Sequence, residues 1–118
     1  MDKLYKKAQK LRTLLIQEYE EALKKCDVLF SPVTPDYAVK IGEMISDPVK
    51  NLLQDLYTGT INLVGAPSLV IPIGFSKNKM PIGMQIVGKR FKEDEILQFG
   101  YLYQQETDWH KKLPTIIK

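Results

Sequence analysis

Cysteine and histidine are nearly missing from this chain: each occurs once, as Cys26 and His110, among 118 residues. No disulfide can form within it, which fits a reducing compartment. Two such side chains cannot build a four-ligand Cys/His zinc site. Long apolar runs are also lacking. The longest, from Ser68 to Phe75, falls far short of the ~20 residues of a membrane-spanning helix. The amino end, Met1-Asp-Lys-Leu-Tyr-Lys-Lys7, carries basic residues with no apolar segment behind them. A secretory signal is therefore not expected, and a cytoplasmic location is. Charge of one sign is scarce as well. Seventeen Lys and Arg against 14 Asp and Glu give a formal +3, which permits an acidic partner without requiring one. There is no G-x-G-x-x-G, no P-loop and no G-x-S-x-G elbow. None of Ser31, Ser46, Ser68 and Ser76 has histidine close by in sequence. Internal repeats and low-complexity segments are absent.

What is present is an ordinary globular composition, 44% hydrophobic and 26% charged. A chain of this length can bury one core, roughly two-thirds of its unfolded surface. Leu4, Ala8, Leu11, Leu15, Tyr19, Ala22, Leu23 and Cys26 recur at three- and four-residue steps, which predicts a helix over 3–26. Asp2 is a candidate cap for it, although lysines crowd its first turns against the helix dipole. An apolar run ended by Pro32 predicts a strand over 27–31. A loop follows over 36–46, with Gly42 as a turn point. Asp47-Pro48 reads as N-cap and first helical residue of a helix over 48–57. Gly59 is expected to break that helix, with a further helical turn from 60 to 64.

The segment 69–75 is apolar and β-branched, so a strand covered on both faces is expected. Pro72 inside it has no ladder donor, which calls for an edge position, a bulge or a kink. A second strand is expected over 82–88 and a last helix over 92–107. The tail beyond Trp109, with Pro114, should fray.

Several side chains invite a chemical reading. The imidazole of His110 is able to shuttle a proton, but a cation near a helix carboxyl end is a common structural placement, and that reading is preferred. Cys26, on the apolar helix face, reads as a buried inert thiol. Lys6, Lys7, Lys10 and Arg12 form a basic stretch that would suit phosphate, against the simpler reading of a solvated helix face. Asp55, ahead of a Thr-Gly-Thr segment, reads from composition alone as a surface carboxylate. Asn62 and Gly65 lie in an apolar stretch, which suggests close backbone packing or a buried amide with partners.

Three segments resemble the amidase-signature family. Asp27-Val-Leu-Phe-Ser-Pro-Val-Thr-Pro35 is similar to its core strand followed by a Pro-x-x-Pro loop. Asn62-Leu-Val-Gly-Ala-Pro-Ser-Leu-Val-Ile-Pro-Ile-Gly74 and Pro81-Ile-Gly-Met-Gln-Ile-Val-Gly88 are similar to two of its carboxyl-terminal strands. Tyr5-Lys-Lys-Ala-Gln-Lys-Leu-Arg12, Ile41-Gly-Glu-Met-Ile-Ser-Asp-Pro48 and Gln105-Glu-Thr-Asp-Trp-His-Lys-Lys112 resemble one branch of it. That branch comprises the glutamine-hydrolysing subunits of tRNA-dependent amidotransferases.

The resemblance implies an α/β fold, the carboxyl-terminal part of an amidase-signature mixed β-sheet core covered by helices. It implies a parent enzyme in which serine attacks glutamine and ammonia is released. A partner subunit, using ATP and Mg, then amidates Glu-tRNA(Gln). The family's Ser-Ser-Lys catalytic set sits in a Gly/Ser-rich signature that does not occur here. The chain is thus expected to be the carboxyl-terminal piece, with no catalytic residue and no metal ligand of its own. One site residue carries over: Asp55 aligns with the acid that holds the α-ammonium of glutamine. Gly59 and Thr60 depart from the family's usual β-branched residue and proline. Ile73 replaces a frequent cysteine, which reads as packing. Two alternatives stand beside this: another amidase-signature amide hydrolase, and a stand-alone non-catalytic interaction module. An isolated piece is expected to self-associate.

Overall fold

The computed structural model describes residues 2–42 and 47–113. The capping role expected of the Asp2 side chain, the end of the 36–46 loop and the tail from Pro114 lie outside the described residues and side chains.

The chain opens with a long helix, α1 (Asp2–Leu23). Its later half does the packing: Leu15, Ile16, Tyr19 and Ala22 are half-buried and Leu23 is buried. The helix ends at Leu23 and does not reach residue 26. Lys24 and Lys25 close it in a turn, bonding back to Glu20 and Ala22. Cys26 therefore lies past the helix end and is exposed, contrary to the buried thiol expected. Its Sγ donates to the Ala22 carbonyl at 3.3 Å.

Strand β1 (Leu29–Pro32) begins two residues later than its apolar run suggests. Helix α2 (Pro48–Gln54) starts as read: the Asp47 carboxylate accepts from the Lys50 N–H at 2.9 Å, and Pro48 takes the first turn. Its end is not as read. The break comes at Asp55, and a separate helix, α3 (Leu56–Val64), runs straight through Gly59. Glycine lowers helix propensity by about 1 kcal/mol relative to alanine. Burial of Ile61 and Val64 on α3 outweighs that cost. Asp55 has φ −91° and ψ 11°, between regular helix and turn. Gly65 ends α3 with φ 68°, a left-handed cap, and donates its N–H to the Ile61 carbonyl.

Strands β2 (Ser68–Phe75) and β3 (Pro81–Val87) form an antiparallel hairpin. Ser76 locks its turn: the N–H donates to the Met80 carbonyl at 2.8 Å, and Oγ accepts from the Met80 N–H at 3.1 Å. Strand order is β1-β3-β2, with both pairings antiparallel. Pro72 sits as its missing donor requires, on an edge strand and at a register shift between Pro72 and Gly74. Strand β2 is not covered on both faces. Ile71 is buried while Val70 and Pro72 are exposed, the alternation of a half-covered strand.

Helix α4 (Glu93–Glu106) lies on the sheet, and a 3₁₀ turn (Trp109–Lys111) follows. The core is Ile71, Ile86 and Ile96, wrapped by Val28, Leu69, Ile73, Met84 and Tyr103. Acidic Glu93, Asp94 and Glu95 occupy the first turn of α4, where they suit the helix dipole. No helix among the described residues is long and apolar enough to cross a membrane.

Candidate functional site

Asp55 stands at the joint of two helices. Its backbone N–H closes α2 by donating to the Leu52 carbonyl at 3.3 Å. Its carbonyl opens α3 by accepting the Gly59 N–H at 2.8 Å. The carboxylate is exposed and makes no capping bond to α3. An aspartate at an N-cap normally bonds a backbone N–H two or three residues on. Among the described residues no capping bond occupies the Asp55 side chain, and an exposed carboxylate can accept charge-assisted hydrogen bonds from a cation.

The other end of α3 is tied down. Arg12 of α1 donates from Nε to the Leu63 carbonyl at 2.7 Å. Arg90, beyond β3, donates from Nη2 to the Val64 carbonyl. Arg12 thus leaves the basic stretch to which its sequence position assigned it. Lys6, Lys7 and Lys10 remain on an exposed helix face.

Two hollows among the described residues lie away from Asp55. An apolar cavity of about 220 Å³ is bordered by Tyr19, Leu23, Val64, Ala66, Gly88 and Arg90. Burial there pushes the Tyr19 phenol above its usual range. A second hollow, about 330 Å³, follows the Pro-x-x-Pro loop along Pro32, Thr34, Asp36, Tyr37 and Gly83. The fold does not bring Asp55 into either of these hollows.

The remaining candidates scatter. His110 is exposed in the 3₁₀ turn, in keeping with the structural reading. Asn62 is exposed, not the buried amide its apolar neighbours suggested. No cluster of His, Cys, Asp or Glu suited to a metal occurs among the described residues. Two polar residues escaped the sequence reading. Gln85 is only 2% exposed on the central strand, and its Oε1 has no hydrogen-bond partner among the described residues. A lone amide inside the apolar run Ile82 to Val87 was its available signal. Arg90 had none, because its acceptor is a helix end 26 positions away.

An antiparallel β-hairpin and a third strand, covered by helices, make a mixed α/β unit, and comparison with known proteins gives its family. The amidase model matches residues 1–97, and the chain belongs to the amidase family. It is 48% identical over 115 residues to the A-type subunit of glutamyl-tRNA(Gln) amidotransferase from Nostoc sp., covering 98% of this chain and 24% of that protein. The crystal structure of the corresponding glutamyl-tRNA(Gln) amidotransferase subunit from Thermotoga maritima superposes with a TM-score of 0.77 at 37% identity, over 82% of this chain and 21% of that one. Allophanate hydrolase of Kluyveromyces lactis gives 0.72 at 27% identity, over 86% of this chain and 16% of that one. The chain spans about a quarter of the length of the curated relatives it matches.

Proposed function

We propose that this chain is the carboxyl-terminal part of a cytoplasmic glutaminase subunit of a tRNA-dependent amidotransferase. The parent hydrolyses glutamine to glutamate and ammonia. Partner subunits, with ATP and Mg, use the ammonia to convert Glu-tRNA(Gln) to Gln-tRNA(Gln). Within that enzyme this piece supplies scaffold and one wall of the glutamine pocket. Asp55 binds the α-ammonium and so selects an amino acid over a plain amide.

The observation that carries this is the near end-to-end match to the Nostoc amidotransferase subunit, at 48% identity over 98% of the chain. The uncapped Asp55 carboxylate agrees with it. On its own the piece is inactive, since acyl transfer needs a nucleophile and an oxyanion hole. The Gly/Ser-rich signature that the family resemblance assigns to them is not in the sequence.

In the full-length enzyme, Asp55→Ala is expected to raise the KM for glutamine by roughly 10- to 100-fold, the loss of one charge-assisted pair. An unchanged glutamine dependence would remove Asp55 from the site. Measurable glutamine hydrolysis by the purified 118-residue chain would refute its inactivity. A second reading, an amide hydrolase without a tRNA role, draws on the likeness to allophanate hydrolase. The same variant separates the two, because a hydrolase of amides without an ammonium has no use for Asp55.

A further inference from the structure

Among the described residues, the long-range hydrogen bonds to helix α3 gather at its carboxyl end. An α-helix leaves its last four carbonyls without partners inside the helix. In α3, Ile61 accepts from the Gly65 N–H at 2.9 Å, Leu63 from Arg12 Nε at 2.7 Å, and Val64 from Arg90 Nη2. Two of these donors are cations at the negative end of the helix dipole, where charge strengthens the bond. They come from α1 and from the segment after β3, 51 and 26 positions away in sequence. The fully buried side chains of α3, Ile61 and Val64, lie in this same half.

The opposite half is only half-buried, at Tyr57, Thr58, Gly59 and Thr60. Helix α2, which leads into it, has no buried residue. Asp55 makes no side-chain bond to cap α3. The helix has nine residues, a rod of roughly 13 Å at the usual rise. A hydrogen-bonded rod of that length carries a displacement at one end through to the other.

We infer that Arg12 and Arg90 are positioning residues for Asp55: by fixing the carboxyl end of α3, they set where the carboxylate meets the α-ammonium of the substrate. This rests on the reading of Asp55 as the ammonium site. It adds a specificity role for two residues bound at the far end of α3 from Asp55. It also gives the basic residue Arg12 a function other than phosphate binding.

The test uses the full-length amidase-family chain that contains this segment, assayed with two substrates. One is glutamine. The other is glutaramate, the same amide acid without its α-ammonium. Arg90→Met and Arg12→Met should each raise the KM for glutamine about 3- to 10-fold and leave kcat within about twofold. Neither should change kcat/KM for glutaramate, which makes no use of Asp55. Arg90→Lys keeps a cation at the helix end and should recover most of the glutamine affinity. Equal losses on both substrates would mean a merely structural role and would overturn the inference. So would an unchanged glutamine KM in the arginine variants when Asp55→Ala raises it. If Asp55→Ala itself leaves the glutamine KM unchanged, the reading of Asp55 fails and this inference falls with it. Should Arg90→Met not fold, Arg12→Met decides alone, because Arg12 is exposed on the surface of α1.

Discussion

Asp108 and Lys111 show what a single exposed pair does in this chain. They lie three positions apart around the 3₁₀ turn, with Nζ 2.8 Å from Oδ1. The hydrogen bond from Lys111, then its charge, holds the Asp108 carboxyl below its ordinary 3.8. A carboxyl lowered in the folded state binds fewer protons there than in the unfolded one. Its contribution to stability is therefore present above the ordinary value and is lost as the pH falls through the folded one. Both side chains are exposed, so solvent and salt screen the pair and its energetic weight is small. The expected result is spectroscopic. In a carboxyl NMR titration, Lys111→Gln should move the Asp108 midpoint upward, and about 1 M salt should do the same to the unsubstituted chain. An Asp108 midpoint indifferent to Lys111 would contradict the pairing. The buried Gln85 is the opposite case. Its amide is excluded from water and Oε1 is unmatched, the more costly condition for a polar group.

Helix α4 meets the sheet through two glycines, and the two contacts differ in what can yield. A Cβ on Gly100 would fall 2.4 Å from Leu69 Cδ2, the far end of a flexible side chain. A Cβ on Gly88 would fall 2.4 Å from Ile96 Cγ2, on a β-branched residue buried in the core. That methyl is fixed at χ1 and has little room to turn. Gly88→Ala should therefore cost about 1–3 kcal/mol, the range for overpacking. Gly100→Ala should cost clearly less, since the gain in helix propensity, up to about 1 kcal/mol, offsets the strain. Urea denaturation of both variants checks this, and a Gly100 variant less stable than the Gly88 one would reverse the assignment. The same elements show what local sequence can and cannot tell. Asp47-Pro48 and Pro72 were legible because a cap and a missing donor act within a few residues. The joint at Asp55 was not. Gly59 argued for a break, and the burial of Ile61 and Val64, a tertiary effect, overrode it. The pairing of β1 with β3 was also hidden, because it joins Leu29 to Val87 across about half of the chain. Asp55 came forward as a site only through family resemblance, since its own composition and neighbours describe a surface acid. The clamp of Arg12 and Arg90 was illegible for a related reason: its acceptors are backbone carbonyls, which leave no mark in sequence.

The molecule as a whole is broad and thin. Its extents are 55 × 40 × 19 Å and its radius of gyration is 17.1 Å, where a compact domain of this length has about 13–14 Å. Apolar side chains are correspondingly uncovered, with Phe91 89%, Leu4 78% and Leu52 76% exposed. Residues 3–14, the first half of α1, are exposed throughout, including Leu4, Leu11 and Leu14. The sheet adds two open edges, since β1 and β2 are both outermost. Pro72 and the adjacent bulge blunt the β2 edge, whereas β1 is guarded mainly by being short. Exposed apolar area on this scale seeks a partner. The isolated chain should therefore self-associate as its concentration rises. Sedimentation velocity should show a weight-average mass that climbs above 13.6 kDa. Leu4→Glu with Leu11→Glu should lower the mass reached at a given concentration, because these residues expose apolar surface on α1 without contributing to the core. A single 13.6 kDa species at every concentration would mean that the exposed helix face and sheet edges are tolerated in water as they stand.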